Sequence, residues 1–412
     1  MAEGSTIEIS SEMSFFNIFG GQQANDKKSI SKCNNVVVLM NGIDQDLVSI
    51  SSMENETSQL KSEDADESKT TETECDSPED ELKSKSYHYE MIEDRLARIK
   101  TILYDESAAS SQNPNDCPAS FSALVADLIT THSGVIPLLL VQISSPDMPF
   151  EAKKDISAIF NSLMVRQFLS CSTPTPSVEQ PPHHSNRFAG YVLDNYDSIL
   201  TPIIHGHGAG TPDAALHCGS MLRSTLRHEL LYRKLLTSKY VYPFLDTYVH
   251  LPNFDVASDA LATVRDIFLM NRMIASQFLE REYTSIFSRF NKMLKSQNYI
   301  TRRMSLKLLG EILLDRTNFG VMMKYISSAS NLAIIMTLLS DPSGNIQFEA
   351  FHVFKIFVAN PNKPEEVVRI LTKNKVKLIK YLENFHAERE REDAQFRDEK
   401  RLILSTLNGL EG

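Results

Sequence analysis

The stretch YITRRMSLKLLGEIL (299–313) recurs in three other places: PDAALHCGSMLRSTL from Pro212, FDVASDALATVRDIF from Phe254 and GNIQFEAFHVFKIFV from Gly344. The four align without gaps. Six positions in, each carries a small residue, Cys218, Ala260, Ser305 or Ala350, at intervals of 42, 45 and 45 residues. Four, seven and eight positions further on stand Leu222, Thr225 and Leu226; Val264, Ile267 and Phe268; Leu309, Ile312 and Leu313; and Phe354, Phe357 and Val358. Those offsets share one face of an α-helix, and a small residue at its head lets a neighbouring helix approach closely. A weaker fifth copy begins at Phe150, with Ile156, Phe160, Leu163 and Met164 in register. Between copies the spacing predicts a second amphipathic helix, over 229–249, 273–295, 320–339 and 364–384. A helix-pair unit of this length predicts an all-α fold, an armadillo/HEAT-like helical-repeat solenoid. Stacked units generate one continuous core and an extended surface suited to binding a partner.

Outward from the repeats, the 412-residue chain is 42% apolar, enough for a sizeable core. Helical spacing is visible from Tyr87, in Met91, Ile92, Leu96, Ile99, Ile102 and Leu103. Helical segments then follow one another, parted by breaks such as SSPDMP (144–149), HLPN (250–253) and DPSGN (341–345). The scaffold domain is therefore placed at 87–402, with 403–412 as a C-terminal tail. Residues 1–86 hold 18 acidic and 7 basic side chains, which accounts for the whole net charge of −11. Within them SQLKSEDADESKTTETECDSPEDELKSKS has almost no large apolar residue, and such a segment buries too little surface to offset its chain entropy. Residues 1–86 are accordingly expected to be a disordered, acidic, Ser/Thr-rich extension, with Ser77 before Pro78 a candidate for phosphorylation.

The acidic balance argues against nucleic acid as a partner, because phosphate backbones draw basic surfaces. An RNA-binding helical repeat would also need base-reading side chains at fixed repeat positions, and none recur. The five cysteines, Cys33, Cys75, Cys117, Cys171 and Cys218, form no CxxC pair and suit a reducing compartment. No run approaches the ~20 apolar residues of a membrane span. The start, MAEGSTIEISSEMSFF, lacks the basic and apolar regions of a secretory signal. A cytoplasmic location, with the nucleus as a second one, is expected.

The chain carries no phosphate-cradling glycine loop, no HExxH, no GxSxG and no calcium-loop pattern. No catalytic residue, cofactor or metal is assigned. Histidines do gather, at His183, His184, His205, His207 and His217, and the stretch 181–211 reads as a long His-rich loop. Imidazoles at that density suit zinc, but no carboxylate or thiolate stands at a ligand spacing, which argues against a metal site. Cys218 occupies the small repeat position, where packing accounts for it. His228, Arg223 and Arg227 read as the cationic end of a helix.

Within the quoted stretch, Tyr299, Arg303 and Lys307 recur every four residues on a face distinct from that of Leu309, Ile312 and Leu313. An aromatic ring beside two cations suits an acidic-aromatic peptide, the ring by stacking and Arg303 by a carboxylate fork. By pattern alone the stripe fits an ordinary solvated helix face equally well.

SLKLLGEILLDRTNF (305–319) and NIQFEAFHVFKIFVANPNK (345–363) closely resemble the calcium-binding protein 39 family, the Mo-type armadillo-like scaffolds. FEAKKDISAIFN (150–161), HCGSMLRSTLRHE (217–229) and FDVASDALATVRDIF (254–268) extend the resemblance, which spans about 87–400. It implies a helical-repeat scaffold without catalysis that binds a STRAD-like pseudokinase and, with it, an LKB-type kinase, or binds STE20-family kinases directly. Such a protein acts as a monomer within a hetero-complex. The resemblance places a pocket for the pseudokinase's C-terminal Trp-Glu-Phe peptide at Tyr299, Arg303, Lys307 and Met336, and a contact with the kinase-like domain at Arg316 and Phe319. Ala333 stands where the family often has a lysine, which makes the pocket less basic. The acidic extension has no family counterpart beyond an aromatic echo in Met13 to Gly20, and 181–211 is longer than the family pattern. A scaffold of an STE20- or NDR-type kinase pathway in polarity or division, without an LKB partner, fits the residues as well.

Overall fold

The computed structural model describes residues 25–63, 78–104, 134–165, 186–209 and 211–410. Every α-helix and 3-10 turn among them belongs to one of two compact units, Met1–Asn195 and Tyr196–Gly412, and no strand occurs among these residues.

In the first unit, α1 (Asn25–Glu63) and α2 (Pro78–Tyr104) pack antiparallel, with Gly42 beside Arg95 and Glu54 beside Lys85. The buried apolar residues described in α1 are Val36, Met40, Ile43, Leu47 and Ile50, spaced alternately four and three apart. Tyr89, Ile92, Leu96, Ile99 and Leu103 of α2 follow the same rhythm. That is the apolar seam of a two-helix coil. Asp46 on the seam's flank takes His88 at 2.9 Å and also Arg95, and Lys85 spans Glu54 at 2.9 Å and Asp147 at 3.0 Å. Helices α3 (Val135–Gln142), α4 (Phe150–Val165) and α5 (Arg187–Asp194) are the other described helices of this unit, and Ile156, Phe160, Leu163 and Met164 of α4 are buried, as the weak fifth copy predicts.

This corrects the expected disorder of residues 1–86: 25–63 and 78–86 are helical. The composition of the whole segment conceals the short seam between Val36 and Ile50, whose burial against α2 supplies the apolar contact that the acidic run lacks. The remainder of the extension, including Ser77 and Met13 to Gly20, lies outside the described residues. The domain start at 87 is likewise too late, because α2 begins at Pro78.

The second unit opens with α6 (Tyr196–Ala209) and carries the repeats on α7 (Pro212–Thr225), α10 (Phe254–Leu269), α13 (Tyr299–Leu314) and α16 (Gly344–Ala359). Polar caps start three of these four helices. Thr211 accepts from the Ala214 amide, Asn253 from Asp255 and Val256, and Asn298 from Ile300 and Thr301. Cys218, Ala260, Ser305 and Ala350 are completely buried. The four helices stack in order, and α16 packs in turn on α19 (Ala394–Asn408).

The second helix of each unit is where sequence and structure part. Three of the four expected helices are each two helices: α8 (Glu229–Thr237) and α9 (Val241–Asp246), α11 (Arg272–Arg281) and α12 (Tyr283–Leu294), and α14 (Phe319–Ile326) and α15 (Ala329–Leu339). Only α17 (Glu365–Glu383) is continuous, and the short α18 (Ala387–Glu392) follows it. The repeat is thus a three-helix unit, and like helices stack on like: α8 on α11 on α14, and α9 on α12 on α15 on α17. Pro243 explains the first break, since its ring would clash with the carbonyl four residues back in a continuous helix. At the third, the chain turns by 95°. There Ser328 caps the Asn331 amide, while the Asn331 side chain donates to Tyr325 O at 3.0 Å and accepts from Asn291 at 2.9 Å.

Two further boundaries change. Residues 403–412 were expected as a tail, but α19 runs to Asn408 and buries Ile403 and Leu407. The expected His-rich loop 181–211 is helical over α5 and α6, which leaves His205 and His207 on a helix whose apolar residues Ile199, Leu200, Ile203 and Ile204 are buried.

Candidate partner-binding site

Helix α13 turns Ser305, Leu309, Ile312 and Leu313 inward, which leaves Tyr299, Arg303 and Lys307 on the face towards solvent beside α16. Tyr299 is 36% exposed. Its hydroxyl accepts from the Asn345 amide at 3.3 Å. Hydrogen bonds from Asn345 and Ser343, and then the positive Arg303, hold the phenol below its usual pKa. Arg303 is half-buried, and its Nε is shut off from water with no hydrogen-bond partner among the described residues. Lys307 is exposed. Across the groove on α16, Glu349 is half-buried. Desolvation raises its carboxyl pKa, and the nearby charges of Lys307 and Arg303 oppose the rise.

The structure therefore joins Tyr299, Arg303 and Lys307 into one surface and adds Asn345 and Glu349, which the sequence reading missed. Their signal was the repeat itself: helices one repeat apart are neighbours, so the residues facing Tyr299 and Arg303 lie 46 positions on. Met336 is half-buried on α15, a helix that packs on α12 and α16, and Ala333 is exposed one turn before it. Arg316 and Phe319 form a second place. Arg316 is exposed in a 3-10 turn (Arg316–Asn318), and Phe319, 63% exposed, opens α14. Phe319 lines an apolar groove of about 520 Å³ with Leu314, Met322, Met323, Ile356 and Leu402, at whose side Lys355 pairs with Glu399 at 2.7 Å.

Of the histidines, His183 and His184 lie outside the described residues. His205 is exposed, His217 is half-buried, and His207 is 1% exposed. Among the described residues no group of three or more His, Cys, Asp or Glu side chains is placed to hold a metal ion. Nor, among them, is any single helix long and apolar enough to cross a membrane. Cys218 is a buried thiol that forms no disulfide among the described residues.

Three-helix units stacked in register, with charged and aromatic side chains offered across neighbouring repeats, define an armadillo-like α-solenoid of the scaffold class. Within that class the chain belongs to the Mo25-like family, whose model matches residues 53–411, a span that starts well ahead of residue 87. Calcium-binding protein 39-like from Homo sapiens is 44% identical over 321 residues, covering 78% of this chain and 87% of the relative. The Mo25-like protein of Schizosaccharomyces pombe is 42% identical over 288 residues, covering 70% and 82%. Among solved structures, a designed armadillo repeat protein is similar with a TM-score of 0.41 and 13% identity, covering 66% of this chain and 99% of its own. The family and the helical-repeat fold are typical of scaffolds that carry out no catalysis.

Proposed function

We propose that this protein is a non-catalytic scaffold that binds and allosterically activates protein kinases. It holds a STRAD-like pseudokinase together with an LKB-type kinase, or an STE20-family kinase, in the active conformation, as a monomer within a cytoplasmic hetero-complex. The observation that carries the reading is the groove between α13 and α16, where Tyr299, Arg303 and Lys307 stand together on α13, a helix capped by Asn298. Rigidity is the mechanism: a scaffold that binds the active conformer more tightly than the inactive one shifts the equilibrium towards it, and a tenfold shift needs about 1.4 kcal/mol of differential affinity. The apolar groove beside Phe319 offers a second contact, so that a partner's tail and its folded domain are gripped at separate points. The alternative of an STE20- or NDR-type kinase pathway without an LKB partner fits the residues as well, since Ala333, in place of a lysine, leaves the pocket less basic.

The test is binding of a fluorescent peptide ending in Trp-Glu-Phe to the full chain. Arg303→Ala and Met336→Ala are each expected to weaken it at least tenfold while the helical circular-dichroism spectrum and the melting temperature are retained. Unchanged binding in both variants removes the pocket. Phe319→Ala is expected to leave peptide binding intact and to abolish stimulation of the kinase.

A further inference from the structure

The stacked repeat helices are joined by a ladder of ion pairs with one rung missing. Five positions after the small residue, three of the four repeats carry a cation: Arg223, Arg265 and Lys355. Each reaches a carboxylate on the next helix of the stack, Arg223 to Asp259 at 2.7 Å, Arg265 to Glu311 at 3.1 Å and Lys355 to Glu399 at 2.7 Å. In the third repeat this position is Gly310. The acid that its missing cation would meet is present. Asp259 immediately precedes the small residue Ala260, and Glu349 immediately precedes Ala350. Arg223 also donates to Thr263 at 2.8 Å. The matching position on α16 is Val353, and a Cβ built on Gly310 would meet only the Val353 methyl, at 3.7 Å. The cation that Arg223 supplies between α7 and α10 therefore has no counterpart between α13 and α16, where the matching position, Gly310, is buried. Glu349 makes no hydrogen bond or ion pair with a described residue.

We propose that this unfilled rung is a recognition point, in which the half-buried Glu349 receives a cationic side chain of the bound partner, an arginine above all. A half-buried carboxylate without a bonded partner is costly to maintain, and a guanidinium placed as Arg223 is placed on Asp259 relieves that cost with a two-pronged, charge-assisted bond. Arg303 and Lys307 stand close enough to temper the Glu349 charge and remain available for a carboxylate of the same partner. The groove thus reads a mixed-charge segment, an acidic residue beside a basic one, in place of a purely acidic tail. The inference rests on the reading of the α13/α16 groove as the peptide site and adds the sign and position of a second contact.

The test uses the full chain and labelled peptides ending in Trp-Glu-Phe, with arginine walked through the positions before the tryptophan and a norleucine twin for each. One arginine peptide is expected to bind about tenfold more tightly than its twin. Glu349→Gln brings it down to the level of the twin, and Gly310→Arg does the same by pairing with Glu349 within the chain, as Arg223 pairs with Asp259. Without any peptide, Gly310→Arg is expected to raise the melting temperature more than Gly310→Gln does, and that excess vanishes in the Glu349→Gln background. If arginine and norleucine peptides bind alike while Arg303→Ala still abolishes both, the recognition point is overturned and the groove stands. If no peptide binds, both fall. If the melting excess survives Glu349→Gln, the unfilled rung itself is refuted.

Discussion

His207 shows what burial does to one imidazole of a histidine-rich stretch. It sits on α6 at 1% exposure, between the rings of Phe244 and Tyr248, with Asp259 at 3.7 Å, beyond good hydrogen-bond reach. Burial drives its pKa down to about 4, a loss that the Asp259 charge only partly offsets. The imidazole is therefore neutral in the folded chain at pH 7. Between pH 6.5 and 4 the unfolded chain takes up a proton there and the folded chain does not, so this group's contribution to stability falls with pH across that window, by roughly 3 kcal/mol at the lower end. His207→Gln is expected to remove that part of the slope, measured as the difference in urea unfolding between pH 7 and pH 5 in variant and wild type. At the same scale the sequence placed Tyr299, Arg303 and Lys307 correctly on one outward stripe, because a four-residue interval fixes a helix face. It had no means of showing that Glu349 faces them, which depends on how two helices dock.

The seam of α1 decides what kind of element the N-terminal region contains. A disordered segment tolerates the loss of an apolar side chain, whereas Ile43 is fully buried in this structure. Ile43→Ala is expected to cost about 2–5 kcal/mol in the unit formed by α1 to α5, read as earlier amide exchange of α2 and a lower melting temperature. A variant as stable as wild type would return α1 to the acidic extension. The seam was legible in retrospect, as five apolar residues at intervals of four and three, but the Ser, Glu and Asp around it dominated the composition. The three split helices were not legible in the same way. Glu282, where α11 gives way to α12, is neither glycine nor proline. The break there follows from packing: α11 must meet α8 and α14 while α12 meets α9 and α15, and one straight helix satisfies only one of these ladders.

A stacked array needs its last repeat covered, and α19 performs that task. Phe396 packs on Phe351 with ring centroids 5.1 Å apart, and Ile403 and Leu407 are buried beside it. Lys400, 1% exposed, pins the cover by donating to Glu383 O at 3.1 Å, Phe385 O at 3.0 Å and the Glu390 carboxylate at 2.6 Å. Lys400→Ala strands that carboxylate and both carbonyls, and is expected to cost about 3–5 kcal/mol, with amide exchange faster in α16 and α17 than in α7. Equal exchange in wild type and variant would show that α19 is dispensable. What the sequence determined by itself is the repeat: its period, its inward face and its buried small residues. Local helix geometry alone converts those intervals into a core stripe. What only the tertiary structure decided is which residues face one another across that period, where the second helix breaks, and that α1 and α19 belong to the packed units. Each of these depends on contacts between segments tens of residues apart, and the spacing within one helix carries no record of its neighbour.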